Sequence, residues 1–174
     1  MMFKKICNVL STIIMILLIA LAGIIFVPRL MGYSEYAVLS GSMVPNIPVG
    51  ALVFDKKPEG VEFEKDMVVT YQLSGDTLVT HRITAVDADA KTLTTKGDAN
   101  NVEDGAPVAF SAVVGVYAFH VPYLGFISIY SKTPIGIAVV CGVLIVIILL
   151  NFLPDALSPD EKKDEDKEKD SKEA

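Results

Sequence analysis

Ser42 is a small hydroxyl between Gly41 and Met43 in "VLSGSMVPNIPVG", a run that is mostly apolar. A serine attacks a carbonyl only when a base removes its proton, and an imidazole base needs an acceptor that fixes its tautomer. The chain has two histidines. His81 stands inside "LVTHRITAV" beside Arg82, and imidazole is the side chain best suited to accept a hydroxyl proton near neutral pH. Downstream, "TKGDANNVEDG" carries Asp98 and Asp104, and a loop could bring either carboxylate to an imidazole. Each residue alone has a plainer reading. Ser42 would be a turn residue, His81 a satisfied histidine in a sheet, and the Asp/Asn stretch a solvated loop bonding its own backbone.

Lysine is the competing base, with Lys65, Lys91 and Lys96 available. To be neutral near pH 7 a lysine must be desolvated enough to move its pKa by roughly 3 units, whereas histidine needs little or no shift. "FEKDM" and "DAKTL" are charged, turn-like contexts for Lys65 and Lys91, and Lys96 reads as a structural or surface residue ahead of Gly97-Asp98. His120, among the aromatics of "YAFHVPYLGF", has the setting of a membrane–water interface rather than of catalysis. No His/Cys/Asp group has metal-ligand spacing and no Gly-rich phosphate loop opens a helix, so neither metal nor nucleotide cofactor is expected. A net charge of -6 and a pI near 4.9 argue against a nucleic-acid partner.

These groups have to be positioned by strands. "ALVFDKK", "DMVVTYQL", "TLVTHRITAVDA" and "KTLTTKGD" are rich in β-branched and aromatic residues, and clusters of Gly, Asp, Asn and Pro separate them. A Ser-Gly-Asp turn in "LSGDTL" and a second turn in "DADAKTL" favour antiparallel hairpins. The expected fold is mostly β, a small antiparallel sheet or barrel-like domain over residues 28–134.

With 174 residues, 52% of them hydrophobic, and a mean hydropathy of +0.49, the chain is too apolar for an ordinary soluble domain. Two charge-free stretches account for the excess, at 6–27 and 135–153, each near the ~20 residues that cross a bilayer. The first is longer than a typical signal h-region, and its bulky "IIFVPRL" exit lacks a small-x-small cleavage site, so it reads as an anchor. Basic residues at Lys4 and Lys5, and from Lys162 onward, assign 1–5 and 154–174 to the cytoplasm and the domain between the spans to the outside. Mixed charges and the absence of aromatics make 154–174 a disordered tail by composition. Cys7 and Cys141 fall within the spans, where a structural disulfide is not expected.

Taken in order, "SGSMVP", "THRITAV", "TKGDANNVEDG" and "GFISI" after "VPYLG" resemble type I signal peptidases. His81-Arg82 looks like the endoplasmic-reticulum type, also found in archaea and some bacteria, in which histidine replaces the lysine base. The resemblance runs from about Tyr36 to Ile129 and implies the signal-peptidase fold. It implies Ser42 as nucleophile, His81 as general base and Asp104 as acidic partner, with Asp98 a neighbouring acid that supports the site or shares the role. Ser40, two positions before the nucleophile, would join the Ser42 backbone N–H in an oxyanion hole.

The resulting expectation is a multi-pass membrane serine endopeptidase of the cell membrane, the endoplasmic-reticulum membrane being left open. It would remove signal peptides from secretory pre-proteins at the outer face. Gly41, Met43 and Pro45 would meet the substrate or the lipid, and Tyr33 and Tyr36 suit interfacial depth. The bilayer, and by extension the translocation machinery, would be its partners. A membrane-anchored β scaffold without activity is the alternative, and a processing enzyme dedicated to a few precursors would share the chemistry.

Overall fold

The computed structural model describes residues 2–131 and 133–157; of the disordered tail expected at 154–174, residues 154–157 instead close a helix, and 158–174 lie outside the described residues. The chain divides into a helical unit and a β-rich unit spanning Ile24–Thr133.

The two long helices are α1, Met2–Leu30, and α3, Pro134–Leu157; the helical unit takes α1 as far as Gly23 together with α3, and the last residues of α1, Ile24–Leu30, belong to the β-rich unit. Within them the most apolar 18-residue windows of Lys4–Leu30 and Pro134–Pro154 have mean hydropathies of 2.9 and 3.0. At 1.5 Å per residue both exceed the ~30 Å of a bilayer core, so both are long and apolar enough to cross a membrane. Each helix continues past the edges expected from hydropathy; in α1 the added residues include Lys4, Lys5 and Arg29, good helix formers that hydropathy alone leaves out. Asn151 Nδ2 donates to Ser11 Oγ at 2.7 Å and to the Ile147 carbonyl at 2.8 Å, which satisfies an amide in otherwise apolar helices. Cys7 and Cys141 are free thiols.

The β-rich unit is a seven-stranded antiparallel sheet made of β1 (Ser34–Ala37), β2 (Leu52–Lys56), β3 (Val68–Ser74), β4 (Thr77–Asp87), β5 (Thr92–Lys96), β6 (Val108–Ala109) and β7 (Val113–Val121). Their spatial order is β1-β2-β7-β3-β4-β5-β6. The four strands read from sequence are present, and Gly75, at φ +52°, turns the β3–β4 hairpin as expected. The chain returns after β6 to insert β7 between β2 and β3. A short helix, α2 (Leu124–Tyr130), follows β7.

Alternation divides the core between the two faces of the sheet. Val69, Tyr71, Ile83, Leu93 and Val113 pack on one, and Val53 and Val68 pack with Met43, Ile47 and Ala51 on the other. Fully burying a side chain of this size contributes roughly 1.5–3 kcal/mol, so Met43 and Ile47 pin the segment that carries Ser42 to the sheet. Met43 is 2% exposed.

The two ends of β4 have different surroundings. Its second half, Arg82–Asp87, pairs with β5, but Thr77–His81 pairs with β3 alone. Among the described residues, one backbone edge is therefore left without a strand partner just where His81 sits.

Candidate active site

His81 is on β4 and 7% exposed, and its Nδ1 lies 2.6 Å from Asp104 Oδ2. The same oxygen accepts from Thr95 Oγ1 at 2.6 Å and from Tyr71 Oη at 3.1 Å. Alternation places Tyr71, His81 and Thr95 on one sheet face, and Asp104 is brought back to it by its own N–H, which donates to the Thr95 carbonyl at 2.8 Å. Burial works to raise the Asp104 pKa, yet the hydrogen bonds from Thr95 and His81 hold it below the usual carboxylate value. Burial pushes the Tyr71 phenol up to about 12, so it stays protonated and remains a donor.

Asp98 has a different partner. Arg82 Nε and Nη2 each donate at 2.8 Å to its two oxygens, and Arg82 Nη1 donates to the Asp66 carbonyl at 2.7 Å. Asn46 Nδ2 donates to Asp98 Oδ2 at 2.7 Å. The Arg82 guanidinium is the main reason Asp98 is held below the ordinary carboxylate range, and the same pairing raises Arg82. Asn46 belongs to the Ser42 segment, and the Ala99 N–H donates to the Ser42 carbonyl at 2.8 Å. The loop after β5 thus holds the Ser42 segment at two points.

Ser42 Oγ is 3.3 Å from Ser40 Oγ. Ser40, Ser42, Met43 and His81 line one cleft of about 790 Å³, with the edge of β1 on one side and Thr77–Thr80 on the other. No lysine is found among the described residues that line it. A Cβ added at Gly97 would come within 2.7 Å of the Ser42 carbonyl and 3.0 Å of His81 Nε2, so both groups lie within reach of a single methyl. Among the described residues no hydrogen bond joins Ser42 to His81, a looseness common in unliganded sites. An imidazole fixed through Nδ1 has Nε2 free to take a proton.

The other expected site residues separate. Met43 does not face lipid; it is core and forms part of the cleft wall. Gly41 and Pro45 are exposed and are not among the residues lining the cleft. Gly41 has ordinary room for a Cβ, the nearest atom being 3.7 Å away, so its lack of a side chain is not required by packing there. Tyr36 lines the cleft from β1, and Tyr33 packs edge-on against Phe119. His120 bonds Tyr117 through Nδ1 at 2.8 Å. Tyr71, Thr95, Asn46 and Gly97 were not singled out by sequence. Tyr71 and Thr95 look like ordinary alternating strand residues, and Gly97 carries no local signal of the close approach the structure shows.

No protein-family model matches the chain. Signal peptidase I W of Bacillus subtilis (strain 168) is 36% identical over 130 residues, covering 68% of each chain. With that identity over that share, and with the antiparallel sheet and apolar helices described above, this chain belongs to the signal peptidase I family.

Proposed function

We propose that the protein is a membrane-bound serine endopeptidase that removes N-terminal signal peptides from secretory pre-proteins, of the endoplasmic-reticulum type with histidine as base. The observation that carries this reading is the 2.6 Å contact between His81 Nδ1 and Asp104, with His81 and Ser42 in one cleft that has no lysine among its described lining residues.

In the proposed mechanism His81 Nε2 takes the Ser42 hydroxyl proton as Oγ attacks the scissile carbonyl. Asp104 steadies the imidazolium, and the tetrahedral oxyanion accepts from the Ser42 N–H and the Ser40 hydroxyl. Collapse breaks the C–N bond. The imidazolium gives its proton to the leaving amine, which is the new N-terminus of the mature protein, and the signal peptide stays as an ester on Ser42. Water, deprotonated by the same imidazole, then hydrolyses that ester. Asp98 holds Arg82 and Asn46, and so holds the nucleophile segment, without touching substrate.

The unpaired edge at Thr77–His81 suits a substrate that binds as an added strand, with backbone hydrogen bonds for affinity and shallow pockets for small side chains. The proposed topology has 6–27 and 135–153 spanning the cell membrane, 1–5 and 154–174 cytoplasmic and 28–134 outside, with the translocation machinery as a neighbour. Cleavage of a model precursor by the purified full-length protein, with the new N-terminus read by mass, tests the reading. Wild type should cut after a small-x-small site, and Ser42→Ala should lose at least about 10⁴-fold in rate. Equal cleavage by both would defeat the assignment.

A further inference from the structure

A row of four residues crosses the sheet beneath the cleft, on the face opposite the His81–Asp104 pair. Thr70 on β3 is in register with Gly115 on β7 and with Thr80 on β4. Asp55 reaches into this row from β2. A Cβ at Gly115 would come within 2.6 Å of Asp55 Cβ and 2.8 Å of its Oδ2, so only glycine leaves the carboxyl its place. Asp55 and Thr70 are each 0% exposed. Thr70 Oγ1 and Thr80 Oγ1 are 2.8 Å apart, and both threonines line the cleft with Ser42 and His81.

Among the described residues, both Asp55 oxygens are buried without a partner at full hydrogen-bonding geometry. Thr70 is the side chain placed to donate to them, and it acts to hold the Asp55 pKa down against burial. A buried carboxyl is retained at a cost that packing does not explain. The hydrogen count then sets a direction. A carboxylate only accepts, and Thr70 has a single hydroxyl hydrogen. If that hydrogen turns toward Asp55, Thr70 must accept from Thr80, and Thr80 is left showing lone pairs to the cleft it lines with Ser42 and His81.

We infer that Thr80, backed by Thr70 and Asp55, is a specificity-determining residue that accepts a hydrogen bond from a serine side chain in the precursor segment just before the scissile bond. Alanine fits the same space but leaves the acceptor unanswered. The inference rests on the peptidase reading above.

The test uses the full-length protein in detergent micelles and precursors that differ only by Ala or Ser at each of the three residues before the cut. Mixed in competition, they report the ratio of kcat/KM values directly. Wild type should prefer serine at one position by roughly three- to ten-fold, the value of one added neutral hydrogen bond. Thr80→Val should bring that ratio to about one, Thr80→Ser should restore it, and Asp55→Asn should narrow it. Thr80→Ala replaces the valine variant if that one does not fold. Equal cutting of the Ala and Ser precursors by wild type, or a serine preference that survives Thr80→Val, overturns the inference while the cleavage itself upholds the peptidase. Failure of wild type to cut any precursor removes the peptidase reading and the serine seat with it.

Discussion

Asp55 should make the protein less stable as pH rises, and Asp55→Asn should remove that dependence. Burial raises its pKa from 3.8 to about 6, against a smaller lowering by Thr70. Below the unfolded value the carboxyl is protonated in both states and exacts no penalty. Between 3.8 and about 6 the unfolded chain ionises and the folded one resists, and above about 6 both are charged while the folded state carries the whole desolvation cost. A shift of this size is worth ~3 kcal/mol. Asparagine keeps the shape and cannot ionise, so the stability gap between Asp55→Asn and wild type should widen by about that amount between pH 4 and pH 7. In a domain of this size it is on the order of a 10 °C shift in Tm. Thermal unfolding of the full chain in micelles, followed by near-UV circular dichroism of the tyrosines, measures it at both pH values. Other titrating groups are common to the two proteins and cancel in the gap. A gap that is the same at pH 4 and pH 7 would refute the reasoning.

Asp104→Asn should leave KM nearly unchanged and lower kcat by on the order of 10³–10⁴, since the amide cannot hold the imidazole in the productive tautomer; steady-state cleavage of a model precursor measures both. Asp98→Asn should act mainly on stability, by about 2 kcal/mol in denaturant unfolding, discounted from a fully buried pair because the Arg82 side chain is 31% exposed. Because Arg82 lowers the Asp98 pKa, this contribution is present above the ordinary carboxylate range and is lost as pH falls through the folded value, so the variant and wild type should converge in acid. Gly97→Ala should reduce kcat by at least about 10²-fold, because the methyl would press on both the Ser42 carbonyl and His81 Nε2; a variant of full activity would show that the two groups have slack.

What was legible in the sequence follows from what leaves a local trace. β2 to β5 carried β-branched runs and turn residues, and the structure has strands there. β7, which lies between β2 and β3, was hidden: "VVGVYAFHV" has the aromatic composition of a membrane interface and sits close to the second span. Its Gly115 reads as a strand-weakening residue until Asp55 is seen lying against it. Asp55 itself, in "LVFDKK", looks like the first charge of a turn. Its burial comes from β1 and β7 flanking β2, which no local pattern encodes.

The choice between Asp98 and Asp104 was undecidable from spacing for a related reason. Successive residues of a strand point to opposite faces, so His81 and Arg82 present an imidazole to one side of β4 and a guanidinium to the other. The loop after β5 passes around this point and meets both, Asp98 on Arg82 and Asp104 on His81. One loop thereby clasps a single strand from both faces, and the two carboxylates have different work because their partners differ. Asp98 also takes the Asn46 amide, which fixes the segment carrying Ser42 to the strand that carries the imidazole. An error in that fixture moves the hydroxyl relative to His81, whereas an error at Asp104 leaves the hydroxyl where it is and turns the ring. Of the two substitutions, therefore, only Asp98→Asn should be rescued by conditions that stabilise the fold, and the loss at Asp104→Asn should persist in a fully folded protein.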